Sequence, residues 1–193
     1  IRGYCSLQLE SCPQMSQNKN YPALIWLDLE MTGLDPDSER IIEIATAVTS
    51  HDLTEIIQGP NLVIQQPQEY IDNMDAWNTN QHNSSGLVDM LRVTNMTIEQ
   101  AEKETLQFIS EHTQKGQSPL CGNSISHDRR FLVRYMPELS SFFHYRNVDV
   151  SSISELVKRW HPQLLGTFKK EGGHRAMTDV IESIQECRIL TLG

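Results

Sequence analysis

The chain has 193 residues, of which 38% are hydrophobic and 21% are charged, and its formal net charge is −9. This composition is typical of a globular domain, and the longest apolar run, Ala23–Leu27, is far shorter than the roughly 20 residues that cross a bilayer. The sequence therefore excludes a membrane protein, and its negative charge disfavours a stable complex with long nucleic acid, which usually needs an extended basic face.

Three apolar runs open the folded part of the chain. They cover residues 23–30, 41–49 and 56–65, and the breakers between them are short, so they predict a three-stranded meander. Residues 74–90 then predict one or two short helices. Residues 97–112 predict an amphipathic helix with a 3.6-residue apolar period, begun by a capping box of Thr97 and Gln100.

The second half of the chain alternates short strands with helices. Strands are predicted at 119–123 and 145–150, and helices at 127–136, 151–160 and about 174–190. This order predicts one α/β domain with a mixed sheet covered by helices on both faces. We assign the domain to residues 21–193. Residues 1–20 are expected to be a disordered leader or an added segment, because Met15 resembles a natural start.

Two acidic residues end the most apolar strand. Side chains at positions i and i+2 of a strand share a face, so Asp28 and Glu30 stand about 7 Å apart along the chain at the edge of the core. Like charges at this separation repel each other, and partial burial raises the cost. A divalent cation would offset the repulsion; two solvated acids at a strand end are the alternative.

Two more acids and a histidine extend this pattern. Asp128 opens a helix, where an acid that favours the helix dipole is the alternative, and Asp179 lies beside the buried stripe of the last helix. His174 follows two glycines and is either a site residue or a surface loop residue. Carboxylates from separate segments and one histidine are typical of two-metal phosphodiester hydrolysis with a histidine general base. The cysteines and histidines lack the spacing of a structural zinc site.

Five segments together resemble the oligoribonuclease branch of the DEDDh exonucleases. They are DLEMTGLD at 28–35, CGNS at 121–124, DRRFL at 128–132, YMPE at 135–138 and HRAM-x-D at 174–179, and the match spans roughly residues 24–187. The resemblance implies an RNase H-like fold with a five-stranded mixed sheet, two Mg²⁺ or Mn²⁺ ions, and a cytoplasmic homodimer. It implies 3′–5′ hydrolysis of very short RNAs, dinucleotides above all, to 5′-mononucleotides.

The resemblance also implies roles for individual residues. The catalytic, metal-binding carboxylates would be Asp28, Glu30, Asp128 and Asp179, and the general base would be His174. The substrate-binding positions would be Met31, Leu34, Trp77, His82, Ser124, Tyr145 and Arg146.

These substrate-binding positions divide into two groups. Met31, Leu34 and Trp77 would contact the bases, with core-closing turn residues and a buried tryptophan as the alternatives. The other four, His82, Ser124, Tyr145 and Arg146, would surround the 5′ phosphate. Of these, Tyr145 and Arg146 belong to the segment His144–Arg146, which would come from the partner subunit. Closure of the 5′ side would explain a preference for dinucleotides.

Two rival functions stay open. A DNA exonuclease would use the same acids, since no residue visibly recognises the ribose 2′-hydroxyl. A non-catalytic nucleotide-binding protein would keep the fold, but the complete set of four acids and one histidine argues against it. One position departs from the family pattern: Thr178 stands where a second acid usually precedes the last metal-binding Asp. We expect activity to survive this change.

Overall fold

In the computed structural model, which describes residues 21–163 and 175–192, a five-stranded mixed sheet separates two layers of helices. The strands are β1 (Leu24–Met31), β2 (Ile41–Thr49), β3 (Ile56–Val63), β4 (Leu120–Gly122) and β5 (Asn147–Asp149). Their order is β3-β2-β1-β4-β5; β1, β2 and β3 are antiparallel, and β4 and β5 run parallel to β1. The predicted meander and mixed sheet are confirmed.

The described residues form eight α-helices. They are α1 (Gln68–Asp72), α2 (Ala76–Ser84), α3 (Leu87–Leu91), α4 (Ile98–Ser110), α5 (Ser126–Tyr135), α6 (Pro137–Phe142), α7 (Val150–Trp160) and α8 (Ala176–Leu192). The capping box of Thr97 and Gln100 is present at the start of α4. None of these helices combines the length and apolar character that a membrane span requires.

Two of the short helices were not predicted. The helix α1 has no buried residue, so it carries no apolar period that a sequence pattern could reveal. The helix α6 begins at Pro137, directly after α5. Proline is favoured at the first helical position, and here it marks the start of a new helix as well as the end of the previous one.

Alternate residues of β1 enter two separate cores, which places helices on both faces of the sheet as predicted. Ile25, Leu27 and Leu29 belong to a core with residues of α4, α5 and α6. Trp26 belongs to a second core with residues of α7 and α8. Because strand side chains alternate between faces, Asp28 and Glu30 share the face of Trp26, which α8 covers.

Some of the predictions fall on residues outside the described ranges. These are the leader assigned to residues 1–20 and the general base assigned to His174. Both therefore stay predictions.

Candidate active site

Three carboxylates meet at the carboxyl end of β1. Asp28 and Glu30 project from this strand, and Asp179 projects from the first turn of α8. Each side chain offers one oxygen, and these three oxygens lie within 4.8 Å of one another. The cluster forms because the two strand acids share the face that α8 covers, so the first turn of that helix completes the group.

A fourth acid, Asp128, approaches from α5. Its side chain is only 5% exposed, and its Oδ1 accepts a hydrogen bond of 3.0 Å from the backbone N–H of Leu29, the residue between the two strand acids. The structure therefore holds Asp128 beside the cluster of Asp28, Glu30 and Asp179, although its oxygens are not part of that close group.

Burial raises the pKa values of Asp28, Glu30 and Asp128, and repulsion from neighbouring acids adds to the rise. Burial, followed by the charge of Asp128, raises the pKa of Asp28 well above its usual range. Burial and the charge of Asp179 raise the pKa of Glu30 to about 8. Burial raises the pKa of Asp128 to about 7, although backbone hydrogen bonds oppose this rise. Closely spaced carboxylate oxygens with unfavourable charge are suited to a hard divalent cation.

A fifth acid, Glu43, adjoins this group and has a cationic partner. It lies in β2 opposite Glu30 and is fully buried. The guanidinium of Arg175 donates to both of its oxygens, at distances from 2.7 to 3.1 Å, and the backbone N–H of Ala176 donates at 3.2 Å. Sequence reasoning missed this pair. The available signal was a charged residue inside the apolar run at 41–49.

Comparison with known proteins identifies the family of this site. The Exonuclease family model matches residues 25–187. An Oligoribonuclease from Legionella pneumophila (strain Corby) is 53% identical over 168 residues, which cover 87% of this chain and 90% of that protein. The chain belongs to the oligoribonuclease family of exonucleases. It is therefore a nuclease, as the sequence predicted.

Two solved structures share the fold of this family member. Exonuclease I of E. coli in complex with a dA16 oligonucleotide has a TM-score of 0.67 at 13% identity, over 89% of this chain and 41% of that one. The Mg²⁺- and Mn²⁺-bound form of S. pombe Pop2p has a TM-score of 0.63 at 14% identity, over 86% of this chain and 81% of that one. The predicted RNase H-like exonuclease fold is confirmed.

Two of the base-contacting positions expected of an oligoribonuclease lie at the carboxyl end of β1. Met31 is the last residue of that strand, and Leu34 follows on the next loop. Leu34 is 72% exposed and Trp77, on α2, is 64% exposed. These exposures overturn the alternatives in which Leu34 closes the core and Trp77 is a buried core residue. Met31 is partly buried and packs against the core of α4, α5 and α6, as its alternative predicted.

Two of the predicted phosphate positions lie at the same end of the sheet. His82 is nearly fully buried; its Nε2 lies 3.0 Å from the Met31 carbonyl oxygen and its Nδ1 lies 3.9 Å from the Glu30 carboxylate. Ser124 follows β4, and its φ of 50° leaves the backbone in the left-handed region. The N–H of Ser124 donates to Asp149, and its hydroxyl lies 3.1 Å from that of Ser151. The hydroxyl of Ser151 is a polar neighbour that sequence reasoning missed.

The structure does not bring Tyr145 and Arg146 to the acids of their own chain. Both residues precede β5, which pairs with β4 from Asn147, and β4 pairs with β1 from Ile25. Because all three strands are parallel, Arg146 lies at the level of the amino end of β1, with β4 between them. Asp28 lies three residues beyond Ile25, or about 10 Å further along the strand.

Arg129 fixes this distant segment. Its guanidinium donates to the side chain of Asn147 and to the backbone carbonyl of His144. Arg129 is half-buried, and both hydrogen bonds commit its side chain to the segment that carries Tyr145 and Arg146.

Proposed function

We propose that this chain is a 3′–5′ exoribonuclease that hydrolyses short oligoribonucleotides, dinucleotides above all, to 5′-mononucleotides. The observation that carries the proposal is the close approach of the Asp28, Glu30 and Asp179 oxygens, in a chain that is 53% identical to a protein named Oligoribonuclease. Family membership supports the reaction class, and the acid cluster supplies a place for it.

Asp28, Glu30, Asp128 and Asp179 would hold two divalent cations, Mg²⁺ or Mn²⁺. The donor set fits such ions, because hard cations prefer carboxylate oxygens and because burial and repulsion raise the pKa values of Asp28 and Glu30. When bound, the cations supply positive charge for activating the attacking water and for stabilising the leaving oxygen.

The residues of the chain orient the reactants and move the proton. The side chains of Asp28 and Glu30 are carried by a central strand and that of Asp179 by a long helix, so their positions are set before the substrate binds. His174 would take the proton of the attacking water as general base, a role suited to a group that titrates near neutral pH. Met31, Leu34 and Trp77 would contact the bases near the 3′ end.

The 5′ side of the substrate would be closed by His82, Ser124, Tyr145 and Arg146, the last two from the partner subunit of a homodimer. The placement of Tyr145 and Arg146 at the level of the amino end of β1 supports this arrangement, because neither is near the acids of its own chain. A closed 5′ side leaves no path for a longer strand. The net charge of −9 agrees with a short substrate that needs no extended basic track. The proposed location of the enzyme is the cytoplasm.

The test is hydrolysis of 5′-phosphorylated RNAs of about two to twenty nucleotides, with DNA of the same lengths, before and after chelation by EDTA. We expect the highest turnover for RNA dinucleotides and a loss of activity with EDTA that added Mg²⁺ or Mn²⁺ restores. Equal turnover of the longest RNA and the dinucleotide would overturn the length preference. Equal turnover of DNA would favour a DNA exonuclease, and full activity after EDTA treatment would overturn the role of the metal.

A further inference from the structure

We propose that Glu43 and Arg175 form a positioning pair, which sets the place of Asp179 in the acid cluster by anchoring the start of α8 to β2. The inference rests on the proposed metal-dependent hydrolysis at this site. It assigns the pair a role through Asp179, not a contact with the substrate.

The side-chain hydrogen bonds of Glu43 among the described residues lead to Arg175 and Ala176, where α8 begins. One carboxylate oxygen accepts from Nε and Nη2 of Arg175, and the other accepts from Nε of Arg175 and from the backbone N–H of Ala176. A planar guanidinium that donates through two N–H groups to one carboxylate fixes both distance and orientation. The carboxylate therefore specifies where α8 begins and how it is rotated about its axis.

A further hydrogen bond, within the first turn of α8, links Arg175 to the acid cluster. The backbone carbonyl of Arg175 accepts from the N–H of Asp179 at 3.1 Å, within the first turn of α8. On the other side, Glu43 lies opposite Glu30 in the β1–β2 register. Glu43 is thus fixed to the strand that carries two acids of the cluster and to the helix turn that carries the third.

The charges of the pair also suit the site. Arg175 pairs with Glu43, one of the five neighbouring acids, and its positive charge opposes the repulsion that Glu43 adds to Glu30. Stability alone does not require this pair, since apolar residues of similar volume often replace a buried ion pair without loss. A metal site gives the pair a function, because the loss of groups that orient metal ligands commonly changes metal affinity or activity by about 10–100-fold.

The decisive variant is Glu43→Gln, which keeps the shape and a carbonyl acceptor but removes the charge. We expect kcat for a dinucleotide to fall about 10–100-fold, with KM changed by less than about threefold. In the same protein, the Mg²⁺ or Mn²⁺ concentration that gives half of the maximal thermal stabilisation should rise at least about tenfold. Glu104→Gln, an exposed glutamate on α4, is the matched control and should leave all three quantities unchanged.

A merely structural role gives a different result. Glu43→Gln would then lower the melting temperature but leave the metal midpoint and kcat at wild-type values, and this outcome would overturn the inference. If Glu43→Gln does not fold, Arg175→Lys keeps the charge and loses the paired donors, and the same two readouts decide. Failure of the proposed function can be told apart from failure of this inference. If the proposed function is wrong, the wild-type protein does not hydrolyse dinucleotides, and the metal titration of Glu43→Gln against wild type still tests the pair.

Discussion

The acid cluster has an energetic cost for the metal-free protein. Asp28 is surrounded by the charges of Asp128, Glu30, Asp179 and Glu43, all of which raise its pKa. Like charges in a partly buried site destabilise the folded state unless a cation compensates them. The residues that are most needed for the reaction are therefore expected to be unfavourable for folding without metal.

Replacement of one acid tests this cost. Asp28→Asn should lower kcat by at least about 10³-fold, since it removes a proposed metal ligand while preserving shape. In metal-free buffer the same variant should melt about 2–4 °C higher than wild type, which corresponds to about 1 kcal/mol for a domain of this size. Thermal melts with and without Mg²⁺ measure the second effect. A lower metal-free melting temperature would mean that Asp28 contributes a favourable contact instead of repulsion.

The histidine assigned as general base has an independent test. His174→Ala should reduce kcat by about 10²–10⁴-fold, because the group proposed to accept the proton of the attacking water is then missing. His161→Ala is the matched control, since His161 is exposed after α7, and its kcat should equal that of wild type. A loss smaller than about tenfold for His174→Ala would assign proton transfer to another group.

For single residues, the sequence revealed the acids of the cluster but not the neighbouring pair of Glu43 and Arg175. The i and i+2 spacing of Asp28 and Glu30 was enough to predict a shared face, and the structure places them on one. Glu43 gave no comparable signal, because its partner Arg175 is 132 residues away in the chain. A pair that is formed only by the packing of a helix on a strand cannot be recognised from either local segment.

Single elements connect distant parts of the site. The helix α5 carries Asp128, which accepts from the backbone of β1, and the next residue, Arg129, donates to His144 and Asn147. One short helix thus holds an acid of its own site and the segment that is proposed to serve the partner's site. A change at Arg129 should therefore affect substrate binding without disturbing the acids.

Arg129→Met keeps most of the apolar stem of the side chain and removes both hydrogen bonds. We expect KM for a 5′-phosphorylated dinucleotide to rise about 5–30-fold while kcat stays within about twofold, which is the pattern of lost binding that is equal in the ground and transition states. The exposed neighbour Arg130 supplies the control variant Arg130→Met. Steady-state kinetics with both variants measures the effect, and an unchanged KM would show that the 144–147 segment does not need this anchor.

Sequence patterns predicted the elements that have strong periodicity. The helix α4 has an apolar stripe and a capping box, and it begins at Ile98, within one residue of the predicted start. Elements with no buried residue, such as α1, left no pattern. The strand order could not be predicted either, because the pairing of β1 with β4 joins segments about ninety residues apart, through packing that no local pattern encodes.

At the scale of the whole molecule, topology separates two groups of site residues. The acids lie at the carboxyl end of β1, whereas Tyr145 and Arg146 lie at the level of its amino end. A closed homodimer can bring the two groups together, because its two-fold symmetry places the same segment of each protomer against the other. Each active site would then be built from two chains, and neither chain alone would bind the 5′ phosphate fully.

Subunit mixing tests this division. Asp28→Asn removes an acid from the site of its own chain, and Arg146→Ala removes a group proposed to act in the partner's site. In a mixed dimer both changes therefore fall in the same site, and the other site is intact. After subunit exchange at equal amounts, about half of the dimers are mixed and each has one intact site, so about a quarter of all sites should regain wild-type kinetics at low substrate concentration. Mixing Asp28→Asn with Asp179→Asn is the control and should restore nothing, because every site then lacks an acid. If the first mixture is only as active as the average of its two components, Arg146 does not complete the site of another chain.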